Sequence, residues 1–149
     1  MPRLLGVHHT PSPSLEAMLQ GVLDGTADEL LEGVEVVVRP ALEATAADVL
    51  DADGYVLGTP AYLGYMSGAL KHFFDSVYLQ SLEHTTSRPL GVYVHGNTDV
   101  DGALLGIERI VAGLGWREVH RPVTVIGKVT DADRERCGEL AATVAANLL

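Results

Sequence analysis

The chain has 149 residues, 47% of them hydrophobic, a single cysteine and a formal net charge of −10. One domain over residues 1–149 is expected, since a chain of this size buries a core without disulfides or metal. The ten basic residues are scattered rather than clustered, which excludes an electrostatic nucleic-acid binder. No apolar stretch approaches the roughly 20 residues that cross a bilayer. The opening MPRLLGVHH lacks the apolar run and cleavage site of a signal peptide, and the lone Cys137 has no internal partner. A cytoplasmic setting is therefore expected.

In chain order, Leu4 to His8 reads as a first strand, followed by the helical stripe Leu15, Met18, Leu19, Val22 and Leu23. Val34 to Arg39 is the second strand, and Pro40 to Leu50 is only weakly helical. Tyr55 to Thr59 is the third strand, apolar enough to be buried on both faces. After Ser67, placed as an N-cap, the spacing of Leu70, Phe73, Phe74, Val77 and Tyr78 predicts a one-sided helix. Leu90 to His95 is the fourth strand. Leu104, Leu105, Glu108, Val111 and Leu114 form the next stripe, Val123 to Val129 the fifth strand, and the Ala- and Leu-rich tail from Ala132 to Leu149 a last helix.

Five β-α alternations predict an α/β fold, a five-stranded parallel sheet with helices on both faces. The expected order is 2-1-3-4-5, and ligands of such sheets bind beyond the carboxyl ends of the strands at the switch point. Three loops therefore matter: His8 to Ser14, Thr59 to Gly68, and His95 to Asp101. The first supplies the hydroxyls of Thr10, Ser12 and Ser14 at a helix N-terminus, an anion site without a cationic side chain. Its prolines, Pro11 and Pro13, each remove one amide donor. The same serines equally serve as N-cap of a helix that opens with proline. The third loop ends in Thr98, Asp99 and Asp101, each a possible cap.

The run Gly58, Thr59, Pro60, Tyr62, Gly64, Met66, Ser67, Gly68 and Lys71 resembles the NAD(P)H-dependent FMN reductase and WrbA-like quinone reductase branch of the flavodoxin-like superfamily. The resemblance is sharp from Asp53 to Tyr78 and architectural elsewhere. It implies a flavodoxin-like three-layer sandwich that binds FMN, takes electrons from NAD(P)H and passes them to a quinone or similar small acceptor. It implies contacts to the cofactor from His9, Thr10, Ser12, Ser14 and Leu15, and from Thr59, Pro60, Ala61, Tyr62, Leu63, Gly64, Tyr65 and Met66. His95, Gly96, Asn97 and Asp99 complete the set. Tyr62 or Tyr65 and Met66 are expected beside the flavin ring, and Gly64 near its reactive edge, where a glycine permits a peptide flip. The family also implies a homo-oligomer, dimer or tetramer.

No catalytic side chain is required, because hydride transfer over a flavin needs alignment rather than a protein nucleophile. His95 is a candidate donor to a quinone or to flavin O2, with a structural role as its alternative. Acceptor-domain aspartates, a dinucleotide glycine fingerprint and a P-loop lysine are all missing from the required positions. A metal hydrolase using His8, His9, His95, Asp99 and Asp101 is a further alternative, weakened because adjacent strand residues face opposite ways. A one-electron carrier of flavodoxin type, or an interaction module on the same fold that has lost FMN, also fits the residues. The only tryptophan, Trp116, is expected away from the site.

Overall fold

The computed structural model describes residues 1–149. Its strands are β1 (Arg3–His8), β2 (Glu35–Pro40), β3 (Gly54–Tyr62), β4 (Tyr65–Met66), β5 (Pro89–Gly96), β6 (Arg117–Glu118) and β7 (Val123–Ile126). Its helices are α1 (Pro13–Thr26), α2 (Ala46–Asp51), α3 (Gly68–Ser81), α4 (Asp101–Leu114) and α5 (Asp131–Ala146). The parallel strands run β2-β1-β3-β5, and β6 and β7 both pair with the outer edge of β5. Counting β6 and β7 as one interrupted strand, this is the expected order 2-1-3-4-5. The interruption falls at His120-Arg121-Pro122, where proline has no N–H to give to a ladder.

Successive residues of each strand feed two separate cores, as the two-residue period requires. Leu5, Val7, Tyr55, Leu57, Val92 and Val94 pack with α2, α3 and α4. Leu4, Val56, Tyr93, Val123 and Val125 pack with α1 and α5. The stripe of α3 is buried as read, at Leu70, Phe73, Phe74 and Val77, and Ser67 caps it by accepting from Leu70 N–H at 3.3 Å. Trp116 lies in the first core, stacked on Tyr55 at 4.0 Å and donating to Thr85 Oγ1 at 2.8 Å.

Four local expectations are corrected. The buried face of α4 is Ala103, Gly106, Ile107, Val111 and Leu114, while Leu105 and Glu108 are exposed. Small residues face inward there because the neighbouring β4 comes close. The fifth strand stops at Ile126, since Gly127 turns the chain at φ 83°. The weakly helical segment is a short helix, α2, fixed by a reciprocal Thr45–Asp48 capping box. Thr59 to Gly68 is no open loop. β3 continues to Tyr62, Leu63 and Gly64 make a two-residue turn, and β4 returns antiparallel with Ala61 opposite Met66 and Tyr62 opposite Tyr65. Both turn residues have positive φ, 51° and 77°, as a hairpin turn of mirror-image type I needs. For Leu63 that conformation costs about 1–2 kcal/mol.

Candidate functional site

The carboxyl ends of β1, β3 and β5 open into a cleft of about 650 Å³, within the range that holds a cofactor. Pro11, Ser12 and Ser14 form one side, Pro60 to Gly64 a second, and His95 to Asp99 a third. All three loops named from the sequence thus meet at one place, although two lining residues, Pro11 and Thr98, were outside the expected set. Both lie within the named loops, so loop position alone would have found them.

Ser12 caps α1: its Oγ accepts from Leu15 N–H at 3.3 Å, and Pro13 begins the helix. The N–H groups of Ser12 and Ser14 have no acceptor within the protein. Together with the two hydroxyls and the positive end of α1, they make a donor set for an anion. Glu16 in the first turn and Asp99 on the opposite wall oppose that charge, and no Lys or Arg lines the cleft. The donor set therefore consists of neutral groups alone.

The hairpin supplies the apolar wall. Pro60 and Ala61 form its floor, and Tyr62, 45% exposed, and the fully exposed Leu63 form its rim. What holds this wall in place is Gly102, a residue that no sequence motif marks. A Cβ on Gly102 would lie 1.8 Å from the Gly64 carbonyl oxygen, so the absence of a side chain lets the turn rest on the start of α4. One turn on, Gly106 receives the ring of Tyr65 in the same way.

Several expected contacts fall elsewhere. Tyr65 packs against Gly106 of α4 and Met66 is buried in the core, so Tyr62 alone of the three ring candidates lines the cleft. Thr59 is fully buried; its hydroxyl donates to the Pro60 carbonyl at 2.8 Å and accepts from Ser67 N–H at 3.1 Å. Leu15 is a core residue, and its N–H is spent on Ser12. Thr10 is tied to His8 Nδ1 at 2.7 Å and, with His9, borders a smaller depression beside Pro40 and Leu42. Burial lowers the pKa of both His8 and His9, and His8 is lowered further by the neighbouring His9.

His95 does line the cleft, but its Nε2–H donates to the Gly127 carbonyl at 2.7 Å. That bond engages Nε2 within the protein, which supports the structural role given as the alternative to donation to a quinone or to flavin O2. Val100 is the N-cap of α4 and makes no side-chain cap; Asp99 instead accepts from Asp101 N–H at 2.9 Å. No three His, Cys, Asp or Glu side chains converge to hold a metal. A second groove, of about 450 Å³ between α1 and α5, is lined only by glycines and charged residues and offers no apolar wall.

A doubly wound parallel sheet with a half-apolar, half-polar cleft at its switch point defines a flavodoxin-fold protein. A flavodoxin from the domain Archaea superposes with a TM-score of 0.83 at 16% identity, covering 98% of each chain. The chain belongs to the NADPH-dependent FMN reductase family, whose profile matches residues 12–131. Among curated proteins, it is 38% identical over 77 residues to a flavodoxin of Aquifex aeolicus, a match spanning 52% of this chain and 40% of that one. It is 32% identical over 91 residues to "Probable NAD(P)H dehydrogenase (quinone) FQR1-like 2" of Arabidopsis thaliana, spanning 59% of this chain and 33% of that one. The chain thus spans less than half the length of these curated relatives.

Proposed function

We propose that the cleft binds FMN and that the protein passes electrons from NAD(P)H to a quinone or similar small acceptor. The observation that carries this reading is the convergence of the Ser12–Ser14 donor set and the hairpin wall in one cleft. The residues fit the group: free N–H and hydroxyl donors suit a phosphate, and the Pro60–Tyr62 wall suits a planar ring. Bound FMN supplies a two-electron redox centre. Ser12 and Ser14 would hold its phosphate, Asn97 and the chain after Gly96 its polar edge, and Tyr62 would border its ring. The hairpin restricts water on one side, and the open mouth leaves room for donor and acceptor in turn.

In the net reaction NAD(P)H loses a hydride, and the quinone gains two electrons and two protons, the second proton coming from solvent. The expected result is FMN-dependent oxidation of NADH or NADPH by the purified protein with menadione as acceptor. Absence of oxidation with both nucleotides, in protein that binds FMN, would favour the second reading. That reading is a one-electron carrier, supported by the Aquifex flavodoxin match and the charge of −10. A cytoplasmic location and a homo-oligomeric state belong to the same proposal; no helix is long and apolar enough to cross a membrane.

A further inference from the structure

The first residue of the hairpin turn, Leu63, combines two unfavourable features. Its φ of 51° is one that a leucine rarely adopts, and its side chain is exposed in full, with nothing in the chain covering it. Glycine or asparagine would serve the turn better on both counts. The strain is not the by-product of a loose loop, because the turn is seated on Gly102 and its return strand on Gly106. Leu63 is therefore backed by α4 at the mouth of the cleft, next to the exposed ring of Tyr62.

The geometry points to Leu63 as a specificity-determining residue that, with Tyr62, forms an apolar rim for the ring of a quinone-type acceptor. The inference rests on the flavin reading and deepens it. It moves Leu63 from the cofactor to the acceptor: an apolar, planar molecule gains by removing this side chain from water, whereas a small polyanionic acceptor does not. A second copy of the chain is a poorer occupant. One leucine and part of a tyrosine fall far short of the roughly 800 Å² per partner that a stable interface buries.

The test compares Leu63→Gly and Leu63→Asn with the parent protein, using menadione and ferricyanide as acceptors, alongside thermal melts and FMN fluorescence titration. Relief of the strain is expected to raise Tm by about 2–4 °C. The ratio of kcat/KM for menadione to that for ferricyanide is expected to fall at least about fivefold, carried by KM for menadione; a fivefold change is about 1 kcal/mol. An unchanged ratio in variants that still quench FMN fluorescence would overturn the role of Leu63 and leave the flavin reading standing. A parent protein that binds no FMN would remove both. Conversion of a dimer to a monomer by either variant, with the ratio unchanged, would overturn the inference in favour of a second copy.

Discussion

Gly102→Ala is expected to lower kcat/KM for FMN-dependent NAD(P)H oxidation about a hundredfold while leaving the fold intact. The added Cβ would sit 1.8 Å from the Gly64 oxygen and 2.7 Å from its carbonyl carbon. Ordinary contact is about 3.5 Å, so the turn must retreat by more than an ångström, and a misplacement of that size costs about a hundredfold in rate. The hairpin is free to move outward, because no other element lies over Leu63 and Gly64. Alanine also favours the first turn of α4 over glycine by roughly 0.5–1 kcal/mol, which limits any fall in Tm. Steady-state kinetics beside a thermal melt separates the two effects. Unchanged kinetics would mean that the hairpin does not wall the reaction site.

Gly58→Ala is expected to act in the opposite way, on stability first. Gly58 on β3 stands beside Tyr93 on β5, and the phenol ring lies across the glycine: a Cβ there would be 1.9 Å from Tyr93 Cζ. Tyr93 is fully buried against α1 and α5 and has no room to swing away. Overpacking of this kind costs about 3 kcal/mol at the upper end of its range, or about 6–12 °C in Tm for a chain of this length. The clash involves Cζ and Cε2 of the ring, at 1.9 and 2.4 Å, as well as the hydroxyl oxygen at 2.2 Å, so deleting the hydroxyl leaves most of it in place. Tyr93→Phe is therefore expected not to rescue the variant. Tyr93→Leu is expected to cost at least about 1 kcal/mol less in the Gly58→Ala background than in the parent, a coupling that contacting residues show. Independent costs would show that β3 and β5 separate to accommodate the methyl group.

The α/β order, the helix faces of α1 and α3, and the position of the cleft were legible because each follows from period and punctuation. Apolar runs ending in Gly58-Thr59-Pro60 or His95-Gly96 mark where the parallel pairing stops, at Pro60 and His95, and a 2-1-3-4-5 sheet can place those ends in only one row. The hairpin was not legible, for a physical reason. A two-residue turn normally announces itself with Asn-Gly or Asp-Gly, and this one is Leu63-Gly64, a sequence that pays in backbone strain for an exposed apolar side chain. The register of α4 was hidden because bulk is a poor guide to burial on that helix. Ala103 and Gly106 face inward where backbone and Tyr65 approach, and Leu105 is left outside. The stripe of α5, Cys137, Leu140, Ala141, Val144 and Ala145, was faint because small residues carry most of it. Among the site residues, loop position brings Ser12, Ser14, Asn97 and Asp99 to the cleft but not His9, Thr10 or Leu15. Those that depend on which way a hairpin residue points, Tyr65 and Met66, could be assigned only once the turn was known.

Ser12, Ser14 and the hairpin are proposed to make one flavin site. Fluorescence titration of the apo protein with FMN and with riboflavin tests it most directly. Saturable FMN quenching is expected, with only modest preference for FMN over riboflavin, because the phosphate would meet neutral donors and two nearby carboxylates rather than a cation. Ser12→Ala with Ser14→Ala removes the two hydroxyls but not the backbone N–H groups, and should weaken that preference while riboflavin still binds. A protein that quenches neither flavin, or one whose FMN preference is unchanged by the double substitution, would contradict it.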